Sequence, residues 1–191
     1  MENAIDYFEI ETKYKSDNIN LTDFKTLMES LNPEKLIEVS SYDHYYTNES
    51  NEFIRFRKRD NKGELTIKRK LNANNNVHRV EVNLPTNTSD EKLVNSFCDL
   101  LGYKHNFDIF KNCWIYYFDK VDIVFYIVFD TNMKELNRFI EIEILEDKQL
   151  TVEESLAILK DYESKLSVLG ITSKNRLKKS LFELYNKEQS K

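Results

Sequence analysis

Charged side chains alternate with apolar ones in the segment YFEIETKYK, residues 7–15. Glu9, Glu11 and Lys13 occupy every second position, and mostly apolar residues stand between them. Successive side chains of a β-strand point to opposite faces. A strand here would therefore carry two carboxylates and an ammonium group on one face. For a single strand, the simplest interpretation is that this face meets water.

The same alternation recurs in four later segments, FIRFRKR, LTIKRK, HRVEVNL and RFIEIEIL. The charged residues that share a face in these segments are Arg55, Arg57, Arg59, Lys68, Lys70, Arg79, Glu81, Glu141 and Glu143. Apolar residues occupy the opposite positions in each segment. The recurrence raises the question of whether the five charged faces meet each other instead of water.

Converging acids and bases would suit a particular chemistry. Arginine and lysine bind phosphate oxygens, and carboxylates bind Mg²⁺ or Mn²⁺ through hard oxygen ligands. A metal ion held in this way can orient a water molecule and neutralise charge at a phosphoryl group. Acids alone would indicate a metal site and bases alone an anion site. The mixture favours a complex of a divalent metal with a triphosphate.

Eight strands and four helices are predicted from the periodicity of the apolar residues. The strands cover about 5–15, 35–47, 52–60, 64–71, 77–84, 107–118, 121–130 and 138–146, and the helices about 22–31, 89–101, 152–169 and 174–187. Capping boxes are predicted for two helices, with Thr88 and Glu91 before the second and Thr151 and Glu154 before the third.

Short connections between the strands favour an antiparallel sheet, and eight such strands commonly remove their edges by closing into a barrel. We therefore predict an α+β, mainly β fold: a closed eight-stranded antiparallel β-barrel, or tunnel, with a polar lumen and flanking amphipathic helices. One domain is expected over residues 1–188, with a frayed tail at 189–191.

Two arrangements of the charged faces remain open at this point. In an open sheet they would be solvated, whereas in a closed barrel they would meet in the lumen. An eight-stranded barrel is wide enough for side chains or one small ligand. Closure would bring together the acids Glu9, Glu11, Glu81, Glu141 and Glu143 and the bases Lys13, Arg55, Arg57, Lys68, Arg79 and Lys111.

Composition excludes several classes of function. The net charge is −5 although 32% of the residues are charged, which does not suit a generic nucleic-acid binder. The three glycines are too few and too scattered for a phosphate-binding loop. The two cysteines form no zinc or disulfide pattern, and no apolar run reaches the roughly 20 residues of a membrane span. We expect a cytoplasmic protein without membrane partners.

The three histidines, His44, His78 and His105, are scattered and have no nucleophile in a recognisable order. A catalytic triad is therefore not expected, and each histidine is predicted to lie in a turn or at the surface.

The order of the motifs resembles the CYTH family, also called triphosphate tunnel metalloenzymes. EIETK resembles the family's E-x-E-x-K strand, YDHYY its D-x-Y-Y/F motif, and FIRFR, LTIKRK and RVE its basic strands. FDTNMKELNRFIEIE is similar to its late acidic segment and KSLFELY to its last helix. The resemblance runs from about residue 5 to 186.

The resemblance implies an eight-stranded tunnel, dependence on Mg²⁺ or Mn²⁺, and a triphosphate-bearing substrate. It implies catalytic roles for Glu9, Glu11, Lys13, Glu141 and Glu143. The metal ligands would be Glu9, Glu11, Glu81, Glu141 and Glu143. The phosphate-binding residues would be Lys13, Arg55, Arg57, Lys68, Arg79 and Lys111.

Three positions depart from the family pattern: Asn83 replaces a glutamate, Cys113 an arginine, and Asn137 a glycine. The leading hypothesis is a metal-dependent triphosphatase acting on inorganic triphosphate, thiamine triphosphate or a nucleoside or RNA 5′-triphosphate. The alternative is a class IV-type adenylyl cyclase that makes cyclic AMP and pyrophosphate from ATP. The third is a noncatalytic module that binds a nucleotide or polyphosphate. A nucleic-acid partner is expected only for an RNA 5′-triphosphatase, and the chain could be a monomer or a homodimer.

Overall fold

The computed structural model describes residues 8–72, 75–144 and 151–186, except for the side chains of 8–9, 69–72, 75–80 and 152. Within these ranges the chain forms nine strands and four α-helices. The strands are β1 (Phe8–Lys15), β2 (Lys35–Thr47), β3 (Phe53–Arg59), β4 (Lys62–Asn72), β5 (Asn75–Thr86), β6 (Lys104–Tyr117), β7 (Val121–Phe129), β8 (Glu135–Ile144) and β9 (Arg176–Leu177). The helices are α1 (Leu21–Ser30), α2 (Glu91–Leu100), α3 (Val152–Leu166) and α4 (Leu181–Tyr185).

All the strand pairings are antiparallel, in the order β5-β4-β3-β2-β6-β7-β8-β1-β9. The eight predicted strands are all present, and the α+β, mainly β class is confirmed. Most neighbouring strands follow one another in sequence and are joined by short turns. The pairs β2–β6 and β1–β8 instead connect distant parts of the chain.

The wall of the sheet is not continuous at β1, which corrects the prediction of a closed eight-stranded barrel. β1 pairs with β5 over only three residues, Phe8 to Ile10, opposite His78 to Val80. Further along, Lys13 and Tyr14 pair with the short strand β9. A ninth strand that was not predicted, β9, therefore pairs with part of the β1 edge that β5 would occupy in a closed barrel.

The apolar faces of β1 and β6–β8 form the largest part of the core with the helices outside them. Phe24 and Met28 of α1 and Leu159 and Leu166 of α3 are buried there. The strands contribute Tyr14, Tyr116, Phe125, Ile140, Ile142 and Ile144. Because the strand period is two, the alternate positions of β8, including Glu141 and Glu143, face the interior of the curved sheet.

A second apolar cluster holds α4 against the sheet. The ring of Phe182 stacks on Phe53, with centroids 4.5 Å apart, and lies near the stacked pair of Tyr45 and Phe107. Ser180 caps the helix through a reciprocal box with Glu183. The packing places Leu181 and Phe182 on one wall of the interior cavity.

Two local predictions are wrong and one is confirmed. Residues 174–187 do not form one helix, because β9 and the Ser180 cap delay the helix until Leu181. The cap of α2 is Asp90, whose side chain accepts from the Lys92 and Leu93 amides, instead of the predicted Thr88. The Thr151–Glu154 box of α3 is present. The predicted frayed tail, 189–191, lies outside the described residues.

Candidate active site: a charged cavity inside the curved sheet

A cavity of about 300 Å³ lies on the inner face of the sheet. Nine of the eleven predicted site residues line it: Glu11, Lys13, Arg55, Arg57, Lys68, Glu81, Lys111, Glu141 and Glu143. The other two, Glu9 and Arg79, have side chains outside the described set, although their backbones pair directly between β1 and β5. The charged faces of separate strands therefore meet around one space.

Three carboxylates cluster on the wall formed by β1 and β8. Glu11 stands opposite Glu143 in the strand register, and Glu141 is two residues away on the same face. One carboxylate oxygen from each lies within 4.8 Å of the other two. Oxygen ligands in such a group are the kind that Mg²⁺ and Mn²⁺ bind, so these residues fit the metal that the sequence predicts.

Lys13 is almost completely buried beside this acidic group. Its Nζ lies 2.7 Å from Glu141 Oε1, which also accepts a 2.8 Å hydrogen bond from the Tyr126 hydroxyl. Burial opposes the charge on Lys13, but the carboxylates of Glu141 and Glu11 outweigh it and raise the pKa of the lysine. Burial likewise opposes the Glu141 charge, yet Lys13 and the hydroxyl donor lower the pKa of Glu141. Both groups are therefore charged at neutral pH.

Two bases, Arg57 of β3 and Lys111 of β6, lie around Asp43 of β2, which has no solvent exposure. Arg57 donates from Nε and Nη2 to the two Asp43 oxygens at 2.8 and 3.0 Å, and Lys111 Nζ lies 2.9 Å from Oδ2. Burial opposes the Asp43 charge, but Arg57 and Lys111 outweigh it and hold the pKa of Asp43 well below its usual range. Burial and the charge of Arg57 lower the pKa of Lys111.

The departure at Asn83 has a structural explanation. Arg55 Nη2 donates to Thr66 Oγ1 at 2.8 Å, and Thr66 Oγ1 in turn donates to Asn83 Oδ1 at 2.7 Å. The chain of bonds fixes the guanidinium, which lies 3.8 Å from Glu81 Oε1. Lys68 pairs with the other oxygen of Glu81. Asn83, a neutral acceptor, thus helps to position Arg55.

Sequence reasoning missed several residues at this site. Asp43 lay within the YDHYY motif but received no role, and Tyr126 stood in an apolar strand with nothing to mark its hydroxyl. Arg59, which the sequence placed on the same face as Arg55 and Arg57, and Glu64 also line the cavity. A stricter count of period 2 along β2 and β4 would have placed Asp43 and Glu64 on the inner face.

The cavity has a less charged region as well. Cys113, Ile115, Tyr117, Asp122 and Val124 line it on β6 and β7. Burial raises the pKa of Asp122 to about 6, and Asp122 Oδ1 has no hydrogen-bond partner among the described residues. Burial also raises the pKa of Cys113, where the family pattern has an arginine.

The family model of the CYTH domain matches residues 8–180 of this sequence. The chain belongs to the CYTH domain family. No curated protein matches the chain in sequence. The match spans every strand from β1 to β9.

Solved structures share the fold of this CYTH chain. The PH1012 protein of Pyrococcus horikoshii has 24% identity and a TM-score of 0.74, covering 93% of this chain and 99% of its own. A conserved hypothetical protein of Pyrococcus furiosus has 24% identity and a TM-score of 0.72, covering 92% and 99%. The triphosphatase of the Mimivirus capping enzyme has 13% identity and a TM-score of 0.53, covering 85% and 90%. At these identities the likeness shows the fold alone.

None of the helices in the described ranges is both long and apolar enough to cross a membrane.

Proposed function

We propose that this CYTH protein is a divalent-metal-dependent phosphohydrolase that acts on a triphosphate held in the cavity. The observation that carries the proposal is the division of the cavity wall. The carboxylates Glu11, Glu141 and Glu143 cluster on β1 and β8, while the buried bases Arg57 and Lys111 lie on β3 and β6. A metal–triphosphate complex carries a cation for the carboxylates and an anion for the bases.

The charges of the cavity are balanced without a ligand. Among the described lining residues there are six bases, Lys13, Arg55, Arg57, Arg59, Lys68 and Lys111, and six acids, Glu11, Glu64, Glu81, Asp122, Glu141 and Glu143. Buried charges are costly unless they are paired. A cation at the acids and an anion at the bases would partly neutralise each other, which supports a joint ligand over a triphosphate alone.

The proposed roles follow from these positions. Glu9, Glu11, Glu81, Glu141 and Glu143 hold Mg²⁺ or Mn²⁺, and Lys13, Arg55, Arg57, Lys68, Arg79 and Lys111 bind phosphate oxygens. The metal supplies charge neutralisation at the phosphoryl group and a site for the attacking water. Lys13 exchanges its bond to Glu141 for one to a phosphate oxygen, and Asp43 keeps Arg57 and Lys111 oriented toward the substrate.

Cavity size favours a compact ligand. About 300 Å³ lies at the lower end of the range for ligand pockets. A triphosphate would occupy the charged part of the cavity, and any organic portion would lie against Ile115, Tyr117 and Val124 in the less charged part. Inorganic triphosphate is therefore the simplest candidate substrate among those considered.

The experiment is a product assay on the metal-free protein after addition of Mg²⁺ or Mn²⁺. Tripolyphosphate, thiamine triphosphate, ATP and RNA with a 5′-triphosphate are incubated separately, and the products are followed by ³¹P NMR. We expect orthophosphate from at least one of them, with kcat reduced about 10²–10³-fold by Glu141→Gln. Glu135→Gln is the matched control, because Glu135 stands on the same strand in an exposed pair with Arg138.

Other outcomes would replace the proposal. Cyclic AMP and pyrophosphate from ATP would identify the cyclase alternative. Tight binding of a triphosphate with no turnover under either metal would identify a noncatalytic module. Full activity of Glu141→Gln would show that the acids of the cavity are not the site.

A further inference from the structure

A second group of potential ligands lies on the outer face of the sheet, away from the cavity. His44 of β2 stands directly opposite Asp108 of β6 in the strand register. His44 Nδ1 lies 2.9 Å from Asp108 Oδ1, and His105 Nε2 lies 2.7 Å from the same oxygen. One ligand atom from each of the three residues lies within 4.8 Å of the others. His44, His105 and Asp108 are not among the residues that line the cavity inside the curved sheet.

His44 is buried, contrary to the prediction that it lies in a turn or at the surface. Its side chain is 7% exposed and is enclosed by the rings of Tyr42 and Phe56, with centroids at 4.7 and 5.9 Å. His44 Nε2 makes no hydrogen bond within the described part of the chain. The nearest charged group to it, Glu91 Oε1 at the start of α2, is 3.8 Å away.

The proton on the His44 ring decides how this arrangement is stabilised. If a neutral ring keeps its proton on Nδ1 and donates to Asp108, then Nε2 becomes a buried acceptor that faces the Glu91 carboxylate. A buried acceptor that has no donor and faces a carboxylate oxygen is unfavourable. If Nδ1 binds a cation, the proton lies on Nε2 and points toward Glu91. Histidines that bind metals commonly donate their other N–H to a carboxylate in this way.

We propose that His44 Nδ1, His105 Nε2 and an Asp108 oxygen form a Zn²⁺ site on the outer face of the sheet. Two imidazoles and one carboxylate suit Zn²⁺ far better than Mg²⁺. Bonds of about 2.0–2.1 Å in a tetrahedral site separate the ligand atoms by about 3.3 Å. The observed 2.7 and 2.9 Å separations must therefore widen by roughly half an ångström. The half-exposed side chain of His105 can make that movement, and a water molecule completes the coordination.

The site would link three elements. β2 and β6 contribute the ligands, and Glu91 at the first turn of α2 receives the Nε2 proton of His44. Glu91 is also held by Lys58 of β3, with Nζ 2.9 Å from Oε1. Zinc binding would thus stabilise the attachment of α2 to the sheet, and the ion would lie outside the cavity.

The experiment titrates Zn²⁺ into metal-free full-length protein in excess Mg²⁺, which competes with Zn²⁺ for the acids of the cavity. Binding is measured by calorimetry, and Co²⁺ in place of Zn²⁺ reports tetrahedral coordination by its visible absorption. We expect one equivalent to bind, with the affinity at least tenfold weaker in His105→Ala and in Asp108→Asn. His105 is exposed, so its removal should leave the fold intact, which circular dichroism checks.

Two controls distinguish Zn²⁺ binding at this site from binding at the cavity acids and from adventitious binding. Glu141→Gln should bind Zn²⁺ as the native chain does, and His78→Ala tests the remaining histidine and should change nothing. Equal Zn²⁺ affinity in the native chain and in His105→Ala would overturn the proposal. So would a native chain that binds no Zn²⁺ at micromolar concentration.

Discussion

Asp43 shows how one buried carboxylate can organise a set of bases. It accepts from both nitrogens of the Arg57 fork and contacts Lys111. A bidentate bond to a fully buried acid leaves the guanidinium a narrow range of orientations. Alternation along the strand predicted the inward direction of Arg57, but its partner could not be predicted, because that depends on the register between β2, β3 and β6. Asp43 is therefore a positioning residue for the cavity bases.

Asp122 should make stability depend on pH. Burial raises its folded-state pKa to about 6, above the unfolded value of about 3.9. The folded chain thus holds the proton more tightly, so stability falls as pH rises from about 4 to 6 and remains lower above it. Asp122→Asn removes this loss, and we expect the free energy of unfolding at pH 8 to rise by as much as about 3 kcal/mol.

Urea unfolding at pH 5 and pH 8 measures this effect. The gain from Asp122→Asn should be smaller at pH 5 than at pH 8. Asp119→Asn is the matched control, because Asp119 lies exposed in the turn that joins β6 to β7. An equal gain at both pH values would contradict the titration of Asp122.

The start of α3, whose signal is local, was predicted well, whereas β9, which depends on distant pairing, was not. The Thr151–Glu154 box predicted the start of α3 because both partners lie within four residues. β9 forms because Arg176 and Leu177 pair with Tyr14 and Lys13, more than 160 residues earlier in the chain. No local pattern indicates that pairing. The box of Ser180 and Glu183 was nevertheless visible in SLFE and would have given the true start of α4.

Gly63 controls the packing between the β3–β4 hairpin and the segment that leads to α2. A Cβ atom at this position would overlap the Phe56 ring and the backbone oxygen of Thr88. Backbone cannot move aside as a flexible side chain can, so we expect Gly63→Ala to destabilise the fold by about 1–3 kcal/mol. Thermal and urea unfolding measure the change.

The matched control for this hairpin is Lys62→Ala, one residue earlier and exposed. Its effect should stay within about 0.5 kcal/mol. A Gly63→Ala variant as stable as Lys62→Ala would mean that the contact with Thr88 does not restrict the hairpin.

The cavity belongs to the whole molecule, since no single element contains it. Three of its acids cluster on β1 and β8, and most of its bases stand on β3, β4 and β6. The alternation of charges predicted that these faces point inward if the sheet closes. The incomplete seam at β1 was not predictable, because it depends on the competition between β5 and β9 for one edge.

Ligand binding should stabilise the whole fold if the cavity takes a metal–triphosphate complex. At a ligand concentration 100 times Kd, linkage adds about 2.7 kcal/mol to the free energy of unfolding. We expect tripolyphosphate with Mn²⁺ to raise Tm more than tripolyphosphate with a chelator. The difference between the two conditions should vanish in the double variant Glu141→Gln with Glu143→Gln, measured by scanning calorimetry. An undiminished difference in that variant would place the metal elsewhere.

The position of β1 has a consequence for folding during synthesis. β1 is synthesised first, yet its long partner is β8, more than 120 residues later, and β9 follows later still. Contacts so distant in sequence slow folding, and an unpaired strand edge is prone to aggregation while it waits. Glu11 cannot join Glu141 and Glu143 until β8 has left the ribosome. A nascent chain that stops before residue 135 would therefore have all the described bases of the cavity but only Glu11 of the three clustered carboxylates.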